Sequence, residues 1–275
     1  MACTAYDRVI DVTRYPLEVQ REEQQNKRRM GIGVTGMANA LEIIGLTYGS
    51  AKYIKEQEKI LITIRDAAYK TSIKAASRLG SFPLFNAKGW LASGFANTLP
   101  KKIRGQIKKD GLRNGLLLSI APTGTISLCA DNISSGIEPP SSVKQERLVH
   151  MPDGQQMVYL TDYAFREYGV KGKTAPEVPA EDHVKVLCSA QKYVDSAVSK
   201  TCNVNGAIKG EKKEGTVSFE QFKKLYTQAY EGGAKGCTTF NKNGKRFGII
   251  TEMTDDKGEE GCTINPETGE RTCEI

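Results

Sequence analysis

The chain has 275 residues, 39% of them hydrophobic, and 39 Lys and Arg against 32 Asp and Glu give a net charge of +7. That composition can bury a core and excludes wholesale disorder, and the length allows one large domain or two small ones. No run approaches the roughly 18 consecutive apolar residues of a membrane span, and the basic excess suits an anionic small molecule or an acidic partner without forming the dense stripe expected of a nucleic-acid binder.

Met1–Arg8 has no apolar core and no secretory cleavage pattern, so the expected location is the cytoplasm. Residues 17–29 follow Pro16, are almost wholly polar and read as a solvated helix. From Met30 to Gly45 the chain turns apolar and Gly-rich. Here Gly31, Gly33 and Gly36 spell GxGxxG, but Asn26–Arg29 before it is no apolar strand, which argues against a dinucleotide fold. The better reading is that these glycines let a helix pack closely against a neighbour. Residues 51–79 predict one long amphipathic helix with a face of Ile54, Leu61, Ile64, Ala68, Ser72, Ala75 and Leu79, stopped by Gly80. Residues 81–114 read as irregular, with a basic helical segment near 101–109.

Residues 116–121, Leu-Leu-Leu-Ser-Ile-Ala, are short and apolar and end abruptly at Pro122, which predicts a buried strand meeting a turn. Ala121, Pro122, Thr123, Gly124, Thr125, Ile126 and Ser127 then supply consecutive backbone N–H groups, three hydroxyls and a glycine. If a helix starts here, its unpaired N–H groups form a phosphate cradle; the other reading is a strand-to-helix turn capped by Thr. No Lys stands in Walker position. Glu138, held extended before Pro139 and Pro140, either lines the same cavity or is simply exposed. Further helices are expected at 181–198, with Val184, Leu187, Ala190, Val194 and Ala197 on one face, and at 219–231. The second has a Ser218/Gln221 capping box and a face of Phe219, Phe222, Tyr226 and Ala229. Residues 252–275 read as a mobile tail. Helices alternating with short apolar strands predict an α/β architecture.

Seven cysteines, an odd number without a Cys-x-x-Cys pair, read as mostly free thiols, and no metal site is expected. Cys262 and Cys273 in the tail are either a thiol–disulfide exchange pair or two unrelated surface cysteines. His150 and His183 read as structural or exposed.

Five ordered segments carry a family resemblance. Lys27–Ala38, Arg113-Asn114 with Ala121–Ser127, Ser135–Pro139, Val194–Asn203 and Gly236–Phe240 together resemble the large, catalytic subunit of ribonucleotide reductases. The segments around Ser199-Lys200-Thr201 and Cys237–Arg246 are most similar to the adenosylcobalamin-dependent class; no tyrosine pair of the iron-dependent class stands near Thr239-Phe240. The resemblance implies the C-terminal half of a ten-stranded α/β barrel over residues 1–250, with a flexible cysteine-bearing tail over 251–275. It implies that residues 121–127 hold the substrate's phosphates and that Cys262 and Cys273 re-reduce the active site, although ten residues separate them where the family pair is closer. Cys129, Cys188, Cys202 and Cys237 match no family role and are expected to be buried thiols. No Asn-x-Cys-x-Glu finger-loop motif occurs in the 275 residues, and Cys3 does not replace a barrel cysteine. The expected partners are therefore an N-terminal reductase chain carrying the radical cysteine, a ribonucleotide, and a thioredoxin- or glutaredoxin-like reductant, with adenosylcobalamin as cofactor shared between the chains. The alternative is a non-catalytic remnant that only binds nucleotide or a partner.

Overall fold

Polar segments punctuated by Pro and Gly set the helices. In the computed structural model, which describes residues 1–151, 154–204, 218–241, 250–252, 262–264 and 271–273, the chain opens with α1 (Ala2–Val12) and α2 (Glu18–Lys27). α2 buries none of its residues and ends at Arg28, which takes a left-handed conformation. The guanidinium of Arg28 is nevertheless buried, 2.9 Å from the Asp7 carboxylate of α1. Asp7 also accepts from Arg113 at 3.1 Å and from the Asn114 amide at 2.9 Å. Burial pushes the Asp7 carboxyl up, but these three donors outweigh it and hold it below the usual carboxylate range.

After α3 (Met37–Ile43) comes α4 (Ala51–Leu79), capped by the Ser50 hydroxyl, which accepts from the Tyr53 N–H at 3.2 Å. The helix has the expected bounds, but its buried face is turned relative to the expected one. It runs through Tyr53, Gln57, Leu61, Arg65, Ala68, Tyr69, Ser72, Ile73 and Ala76, while Leu79 is exposed. Counting apolar residues alone misplaces the stripe because Gln57 and Arg65 are buried with side-chain donors paired to distant acceptors. Gln57 donates to Val186 O at 3.2 Å, and Arg65 donates to Thr98 O at 3.0 Å. The stretch expected to be irregular holds α5 (Ala87–Leu91) and a 3-10 turn (Phe95–Thr98) before the basic helix α6 (Lys101–Asp110).

Residues 116–120 are extended, with Leu117, Leu118 and Ile120 buried, though held by isolated parallel bridges rather than a long ladder. On one side they pair with residues 30–32: Met30 N donates to Leu116 O at 3.0 Å and Ile32 N to Leu117 O at 2.8 Å. On the other side they pair with residues 196–199, through Ser196 N to Leu118 O at 3.0 Å and Ser199 N to Ile120 O at 2.8 Å. A Cβ on Gly31 would lie 2.2 Å from the Ser119 hydroxyl, and one on Gly33 2.4 Å from Ser119 O. These glycines do permit close packing, but between two extended segments and not, as expected, of a helix against a neighbour.

The next helix, α7 (Gly124–Cys129), leads to the antiparallel hairpin β1 (Lys144–Met151) and β2 (Gly154–Thr161), which the apolar pattern did not announce. α8 (Tyr163–Tyr168) and α9 (Ala180–Gln191) follow. α9 stops seven residues short of its expected end. The Gln191 side chain turns back to donate to Val194 O at 3.0 Å and Ser196 O at 2.8 Å. Asp195, buried, accepts from the Leu117 and Leu118 N–H groups, each at 2.8 Å, and from the Tyr69 hydroxyl at 2.5 Å. Val194 thus lies in the turn that leaves α9, and Ala197 in the extended segment beside 116–120, its carbonyl accepting from the Ile120 N–H at 3.2 Å.

β3 (Thr201–Val204) continues that segment and pairs in parallel with β4 (Thr238–Asn241), across the capping-box helix α10 (Phe219–Glu231). α10 buries Leu225 and Ala229; Phe219 and Tyr226 of the expected face are exposed. β5 (Ile250–Glu252) joins the free edge of β1, straddling the expected boundary at residue 250. Within the expected mobile tail, β6 (Cys262–Ile264) pairs antiparallel with β7 (Arg271–Cys273). Among the described residues the parallel segments do not close into a barrel, and no described helix is long and apolar enough to cross a membrane.

Candidate functional site

The buried segment 116–120 delivers the chain to Pro122, and α7 starts two residues later. Its N-cap, Thr123, sits at φ 52°, a left-handed conformation that costs a non-glycine residue about 1–2 kcal/mol. What holds it there is a knot of hydroxyls. Thr123 Oγ1 lies 2.9 Å from Thr35 Oγ1 and accepts from the Gly136 N–H at 2.7 Å; Thr35 donates to Ser134 O at 3.1 Å. Ser127 donates to Gly124 O at 2.8 Å and meets Ser135 Oγ at 3.1 Å. Two of the three hydroxyls expected to face a ligand, those of Thr123 and Ser127, are therefore spent on the loop itself.

The donors left are main-chain ones. The first N–H groups of a helix have no intrahelical acceptor, which for α7 means Gly124, Thr125 and Ile126. Ala121, Pro122, Thr125 and Ile126 are exposed, with Ile126 60% accessible. The arrangement can receive an anion through backbone N–H groups without any charged side chain.

The second wall is the turn 132–138. Gly136 has φ +53°, and a Cβ there would stand 2.8 Å from Ala121 O, so the two loops touch main chain to main chain. Ser134 is bound to α3, its N–H donating to Asn39 Oδ1 at 2.6 Å. The Asn39 amide in turn donates to both oxygens of Asp162, at 3.0 and 3.1 Å. Glu138 is not simply exposed: it pairs with the Lys200 ammonium and accepts from the Thr201 N–H at 2.5 Å. Lys200, whose side chain has no exposed surface, also donates to His183 Nδ1 at 2.8 Å and to Thr201 O at 2.7 Å. His183 keeps its other nitrogen on Ala175 O at 3.1 Å. Burial first, and then the Lys200 charge, depress His183 to about 3, so the ring is neutral and structural, as expected of it. The side chain of His150 lies outside the described residues.

Sequence reasoning singled out the 121–127 loop but not the contacts that Thr35, Ser134 and Gly136 make around it. Thr35 lies inside the glycine motif and Gly136 inside the Ser135–Pro139 segment, so both stood in stretches the sequence already marked. The backbones of Cys262 and Cys273 stand directly opposite each other in the β6–β7 register; their side chains, and any contact with the loop, lie outside the described residues. The expectation of four buried thiols needs correction. Only Cys202 is buried; Cys188 and Cys237 are half-buried, and Cys129 is exposed at the end of α7, where a six-residue helix cannot cover it. Among the described residues, no group of three or more His, Cys, Asp or Glu could hold a metal ion.

Comparison with known proteins places these features. The family described as ribonucleotide reductase, barrel domain, matches residues 1–171 and 156–240. A vitamin B12-dependent ribonucleoside-diphosphate reductase of Mycobacterium tuberculosis is 28% identical over 271 residues, covering 89% of this chain and 35% of that protein. A protein of the same description from Thermoplasma acidophilum is 27% identical over 277 residues, covering 90% and 33%. A ribonucleoside-diphosphate reductase subunit alpha of Treponema pallidum is 24% identical over 241 residues, covering 86% and 27%. The chain thus spans about a third of the length of the first two of these curated relatives.

Proposed function

Because this chain belongs to the ribonucleotide reductase barrel-domain family, we propose that it forms the phosphate-binding part of a ribonucleotide reductase and works with a separate N-terminal chain. In this reading, residues 121–127 hold the phosphates of a ribonucleotide whose 2′-hydroxyl is replaced by hydrogen through a thiyl radical on the complementary chain. The observation that carries it is the exposed first turn of α7, braced by Thr35, Thr123 and Gly136 at the end of a buried extended segment. The parallel run of 30–32, 116–120 and 196–199 supports the idea that this chain builds half of a ten-stranded barrel, the rest coming from the partner.

The reading assigns adenosylcobalamin to the assembled enzyme, in line with the names of the M. tuberculosis and T. acidophilum relatives. The described residues do not fit a ligand to its cobalt. The described imidazole, His183, has both nitrogens engaged inside the protein, on Lys200 and Ala175. Among the described residues, then, no imidazole is free to meet a cobalt. Cys262 and Cys273 are proposed as the thiols that pass electrons from a thioredoxin- or glutaredoxin-like reductant to the active site; their facing positions in β6 and β7 suit a pair that cycles through a disulfide.

The test is reconstitution with a chain carrying the Asn-x-Cys-x-Glu loop. Ribonucleotide reduction should require both chains, and Gly124→Val and Thr125→Pro should raise KM for the ribonucleotide at least tenfold. Turnover by this chain alone, with cofactor and reductant, refutes the two-chain reading; unchanged KM in both variants refutes the phosphate role. Nucleotide binding without turnover in the reconstituted pair points instead to a remnant that only binds.

A further inference from the structure

Behind the parallel pair β3–β4, three cysteines from three elements share one small apolar cluster with Val184, Val204, Leu225 and Ala229. Cys202 is the second residue of β3, fully buried; Cys237 stands one residue before β4 and is half-buried; Cys188, on α9, is half-buried. In the β3–β4 register Cys202 faces Thr239 and Thr201 faces Thr238, so Cys202 and Cys237 reach each other diagonally across the ladder. Their sulfurs lie 3.8 Å apart in S–H···S contact. Cys188 is directed elsewhere, with its sulfur 3.8 Å from Ala229 O and 3.9 Å from Gln228 O.

We infer that Cys202 and Cys237 form a thiol–disulfide redox couple, distinct from the tail cysteines, in which half-buried Cys237 is the attacking thiol and buried Cys202 the resolving one. The sulfurs must approach from 3.8 Å to the disulfide bond length of about 2.05 Å. The strand end at Cys237 can supply that movement. It follows the glycine-rich turn 232–236, where a Cβ on Gly233 or Gly236 would meet nothing within 4 Å. The division of roles follows from access and acidity. The hydrogen-bond contact with Cys202 holds the Cys237 thiol down at about 7, against the opposing effect of its burial, whereas that same contact and burial push Cys202 well up. Thiolate character and access select the attacking sulfur.

The oxidant is a low-molecular-weight disulfide such as glutathione disulfide. The Cys237 thiolate attacks one of its sulfurs; the S–S bond breaks, one glutathione leaves as thiolate, and Cys237 carries the other as a mixed disulfide. Cys202 then loses its proton to the departing thiolate, and its sulfur attacks Cys237 Sγ, expelling the second glutathione. The net change oxidises two protein thiols to one disulfide and reduces one glutathione disulfide to two thiols. The bond ties β3 to β4 two residues from Lys200, the side chain that holds Glu138.

The experiment equilibrates the full chain, carrying Cys262→Ser and Cys273→Ser to silence the tail, in glutathione redox buffers, then alkylates and digests it with trypsin. In oxidising buffer the peptides 201–209 and 236–242 should appear disulfide-linked in most molecules, and reduced glutathione should release them. Cys202→Val should leave Cys237 as a stable glutathione adduct; Cys237→Ser should leave Cys202 an unmodified thiol. Circular dichroism of both variants checks that they fold, and the linked peptide is read without either of them. Both cysteines recovered as alkylated free thiols from oxidising buffer overturns the inference, and so does a link from Cys237 to Cys188.

Discussion

Lys200→Met tests whether the wall behind the loop is held by one buried ion pair. The ammonium of Lys200 has no exposed surface and serves three acceptors, the Glu138 carboxylate, His183 Nδ1 and Thr201 O. Methionine fills much of the same space but leaves Glu138, 20% exposed, with the Thr201 N–H as its remaining donor among these groups. Removing one partner of a buried pair costs about 3–5 kcal/mol. The partial exposure of Glu138 sets the pair near the lower bound, and the two abandoned neutral acceptors bring the loss to about 4 kcal/mol. Glu138→Gln alone strands the deeper charge and should cost a similar amount. In Lys200→Met/Glu138→Gln both charges are gone, so the double variant should lose about 2 kcal/mol, far less than the singles together. The assay is urea unfolding at pH 7 followed by circular dichroism, with all four proteins in one double-mutant cycle. Single effects that add to within about 0.5 kcal/mol would mean no coupling, and the pair would not brace the wall.

Two more outcomes follow from the same geometry. Gly136→Ala places a Cβ 2.8 Å from Ala121 O at φ +53°; it should cost about 1–3 kcal/mol in the unfolding assay and weaken nucleotide binding by the reconstituted pair, while the exposed control Gly94→Ala changes neither. Burial pushes Glu42 up to about 7, against the N–H of Lys173 that lowers it; Glu42 Oε2 has no hydrogen-bond partner. Its folded value lies above its unfolded one, so its contribution is intact below about pH 4.5 and lost as pH rises through 7, by at most about 3 kcal/mol. Glu42→Gln should therefore raise the melting temperature at pH 8 and leave it nearly unchanged at pH 4.5; an equal shift at both would sink this account.

Helix positions were readable where one local signal dominated. Pro16 before α2, Ser50 and Gly80 around α4, and the Ser218/Gln221 box of α10 all stand at the observed ends. What failed was inference from apolar spacing where burial is polar. Gln57 and Arg65 sit in the face of α4, and Asp195 pulls Val194 and Ala197 out of α9 to cap main-chain N–H groups at residues 117 and 118. No local pattern reports a partner 78 residues away. The loop 121–127 was legible because Pro, Thr and Gly follow an apolar run, and its membership of a family was legible from five short segments in order. Its support was not, because Thr35, Ser134 and Gly136 come together only when residues about a hundred positions apart meet.

The segment 116–120 lies between two parallel neighbours, one about 85 residues earlier in the chain and one about 78 later. On a ribosome its inner edge can pair at once with residues 30–32, but its outer edge must wait for residues 195–199 to emerge. Distant pairings of this kind bear the entropy of closing large loops before they repay it, and they slow folding. Until Asp195 arrives, the Leu117 and Leu118 amides and the apolar side chains beside them face solvent, so the newborn chain carries its stickiest strand uncovered through the synthesis of α7 to α9, an interval in which a chaperone would have most to do.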